Sequence, residues 1–413
     1  MNVRMPNDKL ILGAYILMPY AQTERHIKEL KECGIDLIVC FRPVSRDVLD
    51  LLEKYRVGCI LSGILPEWWG GDGARAGTLH ERNPLDLYRK AAAGFEDHPA
   101  VWGIDIGDEP SALDFDHYGK IARTVNDAFP HQFPYLNLYP NYASTAANDE
   151  DQTQCQLGTA TYADHIERYL ETIDLPYISY DFYLYVLPEK VGVGKMLDNF
   201  RIVSEACRRT GRAFWYIPQV NGHLETDFTS ENMLRYQAYA ALCYGATAIN
   251  WACYTAGWWC NNVLDKNGEK TVQYDKLKKI NAELHRIGEV YSAYRNTDTH
   301  LIGYENETWR GDFPEIISTE KLDTGTVRDL RADGGKLIVG EMVHKKDADR
   351  RALCLCNASD PYDRKESAAT VTFRSFGRMV NLYSGEETIP LEKNGDTYSF
   401  VLKNSRGVIL TFD

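Results

Sequence analysis

Val101-Trp102-Gly103-Ile104-Asp105-Ile106-Gly107-Asp108-Glu109-Pro110 begins as a buried strand and ends in two adjacent carboxylates with a proline directly behind them. Proline cannot continue a sheet ladder, so the strand stops there. Side chains alternate between the two faces of a strand. Trp102, Ile104, Ile106 and Asp108 are therefore expected on one face, and Gly103, Asp105, Gly107 and Glu109 on the other. The second face is small and acidic, and it delivers Glu109 to the strand's C-terminal end. In a parallel α/β barrel that end carries the catalytic groups. An acidic turn capping the next helix would use the same residues, so the stretch takes its meaning from its neighbours.

Outward from it, apolar strand-like runs alternate with amphipathic helical patterns. The strands read as Leu10–Leu17, Ile35–Phe41, Val57–Ser62, Val101–Ile106, Tyr135–Tyr139, Tyr177–Tyr183, Phe214–Gln219 and Ala248–Tyr254. Helical spacing marks Thr23–Cys33, Pro84–Phe95, Phe115–Phe129, Tyr162–Ile173, Lys195–Arg209, Glu231–Tyr244 and Tyr274–Tyr291, and Gly34 and Gly211 stand where helices end. Eight strand–helix units in a row predict an α/β fold, a (β/α)8 TIM barrel. A doubly wound sheet is the competing layout, but no Gly-x-Gly-x-x-Gly opens a helix after the first strand.

After about Leu301 the helical period disappears. Short strands follow at Lys336–His344, Arg351–Asn357, Ala369–Phe373, Met379–Tyr383, Tyr398–Leu402 and Val408–Phe412. They predict a small C-terminal antiparallel β-sandwich. The expected division is a catalytic barrel over residues 1–300 and a sandwich with its linking segment over 301–413.

The 413 residues carry 46 Lys and Arg against 59 Asp and Glu, and the net charge of -13 argues against nucleic acid or an anionic membrane as partner. No apolar run is long enough to span a bilayer. Leu10–Met18 follows Arg4 and Lys9 but contains Gly13 and Tyr15, lacks a small-residue cleavage site and leads into a helix pattern. It is read as the first strand rather than a signal peptide. The ten cysteines have no metal-ligand spacing, and Cys40, Cys59, Cys243 and Cys253 lie in or beside apolar runs. Buried free thiols are expected, and with them a cytoplasmic location. The histidines form no His-x-His or His-Glu-x-x-His pattern, so no metal is expected. Serine-hydrolase and nucleotide loops are absent, and no cofactor is expected.

The strand ends are rich in polar and aromatic residues: Phe41-Arg42, Trp68-Trp69, Tyr139-Pro140-Asn141-Tyr142, Tyr180-Asp181-Phe182-Tyr183, Gln219-Val220-Asn221 and Asn250-Trp251-Ala252-Cys253-Tyr254. Aromatic rings stack on sugar faces, and amides, guanidinium and carboxylates hydrogen-bond hydroxyls. A carbohydrate partner is therefore expected. Its candidate contacts are Arg42, Trp69, Tyr139, Asn141, Tyr180, Tyr183, Gln219, Asn250, Trp251 and Tyr254. Cleaving a glycosidic bond needs an acid for the leaving oxygen and a second group to attack, activate water or orient the substrate. Glu109 is the candidate acid/base and Asp181 the candidate second carboxylate, since alternation places Asp181 with Ser179 and away from Tyr180 and Phe182. Asp181 also fits a hydrogen-bonded turn aspartate. Asp108 fits either a partner of Glu109 or a carboxylate at a helix N-terminus, and Asp105 an anchor deeper in the barrel.

The segments Trp102–Pro110, Tyr139–Tyr142, Ser179–Tyr183 and Tyr244–Trp251 resemble barrel glycoside hydrolases of clan-A type with a C-terminal β-sandwich, the clan of β-galactosidases and cellulases. The resemblance implies an acid/base after the fourth strand, usually as Asn-Glu, which Glu109 matches with Asp108 in place of the Asn. It also implies a glutamate nucleophile ending the seventh strand. That place reads Tyr216-Ile217-Pro218-Gln219, and the nearest acids, Glu225 and Asp227, follow later. Asp108-Glu109 is also similar to the Asp-Glu pair of substrate-assisted hexosaminidases, which need no protein nucleophile. Chitinase-like barrels place a Tyr-Asp on the sixth strand and a Trp on the eighth, as Tyr180-Asp181 and Trp251 do here, although Gly107 breaks their Asp-x-Asp-x-Glu strand. The resemblance thus implies a glycosidase, with a substrate-assisted N-acetylhexosaminidase and a catalytically silent carbohydrate-binding barrel as the alternatives.

Overall fold

The computed structural model describes residues 9–66, 75–90, 94–145, 155–186, 191–255, 259–376 and 379–412. Eight parallel strands form one sheet: β1 (Ile11–Tyr15), β2 (Leu37–Phe41), β3 (Gly58–Leu61), β4 (Val101–Asp108), β5 (Phe133–Asn137), β6 (Tyr177–Phe182), β7 (Ala213–Pro218) and β8 (Ala246–Trp251). Their order is β5-β4-β3-β2-β1-β8-β7-β6. The ring closes where Leu138 pairs with Tyr180, the Leu138 amide donating to the Ser179 carbonyl at 2.8 Å. This is the expected TIM barrel.

The connecting helices are α1 (Glu24–Glu32), α2 (Arg46–Lys54), α3 (Leu79–Arg82), α4 (Leu85–Lys90), α5 (Phe115–Ala128), α6 (Tyr162–Thr172), α7 (Gly192–Thr210) and α8 (Glu231–Cys243), with α9 (Val272–Tyr291) after β8. Side chains of Thr23, Thr161, Ser230 and Thr271 accept backbone N–H bonds at four helix starts, satisfying donors that a helix cannot pair internally. Gly211 ends α7 at φ 73, a left-handed conformation that costs glycine nothing. Among the described residues no helix is long and apolar enough to cross a membrane.

The C-terminal part is a sandwich of two sheets. One, mostly antiparallel, contains β9 (Tyr294–Ile302), β10 (Ser318–Thr319), β12 (Leu337–His344), β13 (Asp347–Asn357), β15 (Val380–Ser384), β16 (Thr388–Pro390) and β19 (Gly407–Phe412). The other contains β11 (Val327–Asp333), β14 (Ala368–Ser375), β17 (Lys393–Asn394) and β18 (Thr397–Lys403). Alternation along β12 and β13 divides their side chains between two cores. Leu337, Val339, Leu353 and Leu355 fill the space between the two sheets, whereas Ile338, Met342, Cys354 and Cys356 join the barrel core. Helix α8 is the intermediary. Its run Leu234–Cys243 is entirely buried because one side packs on the barrel and the other on this sheet.

One irregularity positions the site. The pairing of β4 with β5 runs Asp105 to Tyr135 and then Gly107 to Leu136, so Ile106 is an extra residue. A bulge of this kind resets alternation on its far side. The expectation that Asp108 lies on the face opposite Asp105 is therefore corrected: both line the same cavity.

Candidate active site

A cavity of about 790 Å³ opens at the C-terminal mouth of the barrel. Among the described residues every strand supplies its wall from its end or the turn behind it, except β7. Four carboxyls converge there: Asp105, Asp108 and Glu109 from β4 and its turn, and Asp181 from β6. Asp108 and Glu109 are half-buried, while Asp105 and Asp181 are buried. Glu109 stands at φ 44, left-handed for a residue with a Cβ, and its amide is held by the Asn137 carbonyl at 2.9 Å. Such strain persists only where the surroundings impose it, and it gathers at functional sites.

Asn137 organises the acids. Its Nδ2 donates to Asp181 Oδ1 at 2.7 Å and to Asp108 Oδ1 at 3.3 Å, so those two oxygens lie within about 6 Å of each other. Ser179 Oγ donates to Asn137 Oδ1 at 3.0 Å, which leaves the Tyr135 hydroxyl as the donor to Ser179, also at 3.0 Å. This chain fixes which end of the Asn137 amide faces the carboxyls. Tyr135 in turn stacks on Tyr177 at 6.0 Å, and Tyr177 on Trp215 at 4.7 Å.

Burial pushes the Asp181 carboxyl up to about 7, with the negative charge of Asp108 adding to the effect and the Asn137 bond opposing it. Two acids facing one amide resist carrying two charges in a desolvated place. Asp181 consequently holds its proton up to neutrality. The Tyr15 phenol is pushed well up by burial and then by Asp108, and the Tyr183 phenol by burial and then by Asp181. Both rings line the cavity.

The structure brings Glu109, Asp108 and Asp181 together with Tyr183, and places exposed Arg42 at the rim. Tyr139 is buried behind the wall, where Glu109 and Asp108 reinforce the effect of burial on its phenol. Other expected contacts point elsewhere. Tyr180 stacks on Phe214 at 5.8 Å on the outer face of the sheet, under Phe200 of α7. Trp251 Nε1 donates outward to Asn281 Oδ1 of α9 at 2.9 Å. Gln219 is consumed by the Tyr185 amide at 2.7 Å and the Asn221 carbonyl at 3.1 Å. Asn141 bonds the Lys195 carbonyl at 2.9 Å, Asn250 packs deep against Gly13, and buried Tyr254 donates its amide to the Tyr15 carbonyl at 3.0 Å. Trp69 lies outside the described residues. Glu225 and Asp227 are exposed and away from the wall, so neither replaces the missing seventh-strand acid.

The cavity also takes in Asn137 and Tyr15, which lie outside the sequence expectations, and Tyr142 and Trp259, which belong to the aromatic strand-end segments but not to the candidate contacts. Asn137 is the one side-chain amide in Phe133–Leu138, a usable signal. Tyr142 packs edge-on to Phe182 at 5.1 Å, and Trp259 edge-on to Tyr183 at 4.5 Å. Among the described residues the grouping suited to a metal is Asp298, His300 and Glu341, on β9 and β12 and outside this cavity. There His300 Nε2 already bonds Glu341 Oε1 at 2.7 Å.

No protein-family model matches the sequence, and comparison with curated proteins gives no match. Solved structures do resemble it. A structure described as a glycoside hydrolase aligns with 98% of this chain and 92% of its own, at 10% identity and a TM-score of 0.57. The endo-beta-1,4-mannanase of Thermotoga petrophila aligns with 98% of this chain and 93% of its own, at 8% identity and a TM-score of 0.46. A family 5 mannosidase of Rhizomucor miehei aligns with 68% of this chain and 94% of its own, at 11% identity and a TM-score of 0.48. The first likeness extends over barrel and sandwich alike, so the chain shares the overall fold of a glycoside hydrolase structure.

Proposed function

We propose that the protein is a glycoside hydrolase acting on an oligosaccharide or small glycoside. The observation that carries this reading is the convergence of Glu109, Asp108 and Asp181 on one cavity at the catalytic end of the barrel. Glu109 donates its proton to the glycosidic oxygen as the bond to the anomeric carbon breaks. Asp181, once ionised, either attacks that carbon to form a glycosyl-enzyme that water then hydrolyses with Glu109 as base, or takes the proton of a water that displaces the leaving group in a single step. Asn137 holds Asp181 and Asp108 in place. Tyr142, Tyr183 and Trp259 supply aromatic walls for the sugar rings, and Arg42 binds hydroxyls at the rim.

A panel of aryl glycosides tests the proposal. Glu109→Gln should reduce kcat for the hydrolysed substrate by roughly 10²–10⁴-fold, the usual contribution of one acid/base group. A near wild-type rate in this variant would remove Glu109 from the role. Binding of sugars with no turnover anywhere in the panel would favour a silent carbohydrate-binding barrel.

A second reading rests on β7. Gln219 is spent on backbone partners, and among the described residues that strand gives the cavity no acid. A substrate-assisted N-acetylhexosaminidase needs none, because the substrate's own acetamido oxygen attacks while Asp108 orients it and Glu109 protonates the leaving group. Thiazoline inhibition together with turnover of N-acetylhexosaminides would favour this route. Turnover of sugars lacking the acetamido group would exclude it.

A further inference from the structure

A second cavity, of about 780 Å³, lies at the opposite end of the barrel, between the N-terminal ends of the strands and the start of β9. Its cations are Lys9, Arg208, Arg212, Arg295 and Lys345, and among the described residues no Asp or Glu lines it. In a chain of net charge -13 such a one-signed pocket is against the average. Arg208 and Arg212 are not there to neutralise local acids. Arg208 Nη1 donates to Ser204 Oγ at 2.7 Å and to Asn296 Oδ1 at 2.8 Å, both neutral oxygens. Arg212 Nη2 reaches the Leu170 carbonyl at 3.3 Å and its guanidinium lies over the Tyr169 ring at 5.4 Å, while Nη1 is buried with no hydrogen-bond acceptor. A buried guanidinium nitrogen without an acceptor is costly unless something supplies one. Lys9 has a carboxylate neighbour, Asp36 at 3.5 Å, which lies outside the lining.

We propose that this cavity binds a small organic phosphate. Guanidinium forks match phosphate oxygens in geometry and charge. The volume is that of a site for a whole metabolite rather than a bare ion. Phe133, Tyr177 and Trp215 provide an apolar inner surface for the body of such a molecule. The two cavities lie at opposite ends of the barrel.

The test is calorimetric titration of the full chain with inorganic phosphate, glucose 6-phosphate and adenosine monophosphate, at matched ionic strength in sodium chloride. Saturable binding of at least one organic phosphate is expected, with inorganic phosphate weaker. Arg208→Gln and Arg295→Gln should each weaken it, the former by roughly tenfold or more, as loss of a charge-assisted bond does. Arg295 is exposed, so its variant folds independently of the outcome at Arg208. No binding beyond the chloride control, or wild-type affinity retained in both variants, would overturn the proposal. Tighter binding of inorganic phosphate than of either organic phosphate would overturn the assignment of an organic ligand. The readout is binding at the lower cavity, so it is independent of whether Glu109 cleaves glycosides.

Discussion

At the scale of the residue, Asp181 shows how the site trades stability for chemistry. Its folded carboxyl titrates at about 7 against an ordinary 3.8, through burial first and the charge of Asp108 second. Between those two values the folded state holds a proton that the unfolded chain releases. Stability is therefore intact below the unfolded value, falls as pH rises through the window, and stays reduced above about 7. Asp181→Asn keeps an acceptor for Asn137 but has no charge to bury. The variant should match the wild type at pH 4 and melt higher at pH 8, by on the order of a few kcal/mol. Thermal melts across that range check it, and a pH-independent difference would mean that Asp181 is not shifted. Much of this site was legible in the sequence. Alternation placed Asp181 inward beside Ser179, and both residues indeed bond Asn137. The same alternation turns Tyr180 outward, yet its position at a strand end had suggested a sugar contact. Trp251 likewise serves α9, because a large ring at a strand end is as readily used for packing as for binding.

At the scale of the element, the bulge in β4 decides which acids meet. Strands and helices announced themselves through periods of 2 and 3.6 residues, so the barrel could be read from the chain. A bulge leaves no such mark, since one extra residue changes the partner strand's register and not the local composition. Gly107 sits at this point. A Cβ there would lie 2.4 Å from the Tyr118 hydroxyl and 2.7 Å from its ring, and Tyr118 is fully buried on α5. The strand end can come this close to α5 only with glycine. Gly107→Ala should displace the Asp108-Glu109 turn, lowering kcat by about a hundredfold, as ångström-scale misplacement does. Its stability cost should be smaller, about 1–3 kcal/mol, as for other overpacked sites. Adding Tyr118→Leu should restore part of both. If the double variant is no better than the single one, the loss does not come through that contact.

At the scale of the molecule, barrel and sandwich share a core. Alternate residues of β12 and β13 complete the barrel's core, and the Cβ that Gly340 lacks would come within 2.2 Å of the Cys243 carbonyl at the end of α8. A buried charge cluster locks the same seam. Glu283 of α9 accepts from Arg235 of α8 at 2.7 and 2.8 Å, and Arg406, in the turn before β19, approaches it at 3.3 Å. Glu283 and Arg235 are both almost fully buried, so removing one strands the other. That loss costs about 3–5 kcal/mol in buried pairs, and Glu231, 3.1 Å from Arg235, keeps the expected value at the lower end. The seam also reaches the site's surroundings. Helix α8 carries Gln237, whose amide holds the backbone of Gln219 at 3.0 and 3.1 Å. Loosening the sandwich should therefore loosen the end of β7 rather than release a separate domain. Glu283→Ala is expected to melt earlier than the wild type yet still in a single calorimetric transition. Two resolved transitions, with the barrel melting at its original temperature, would show that the sandwich is a passenger.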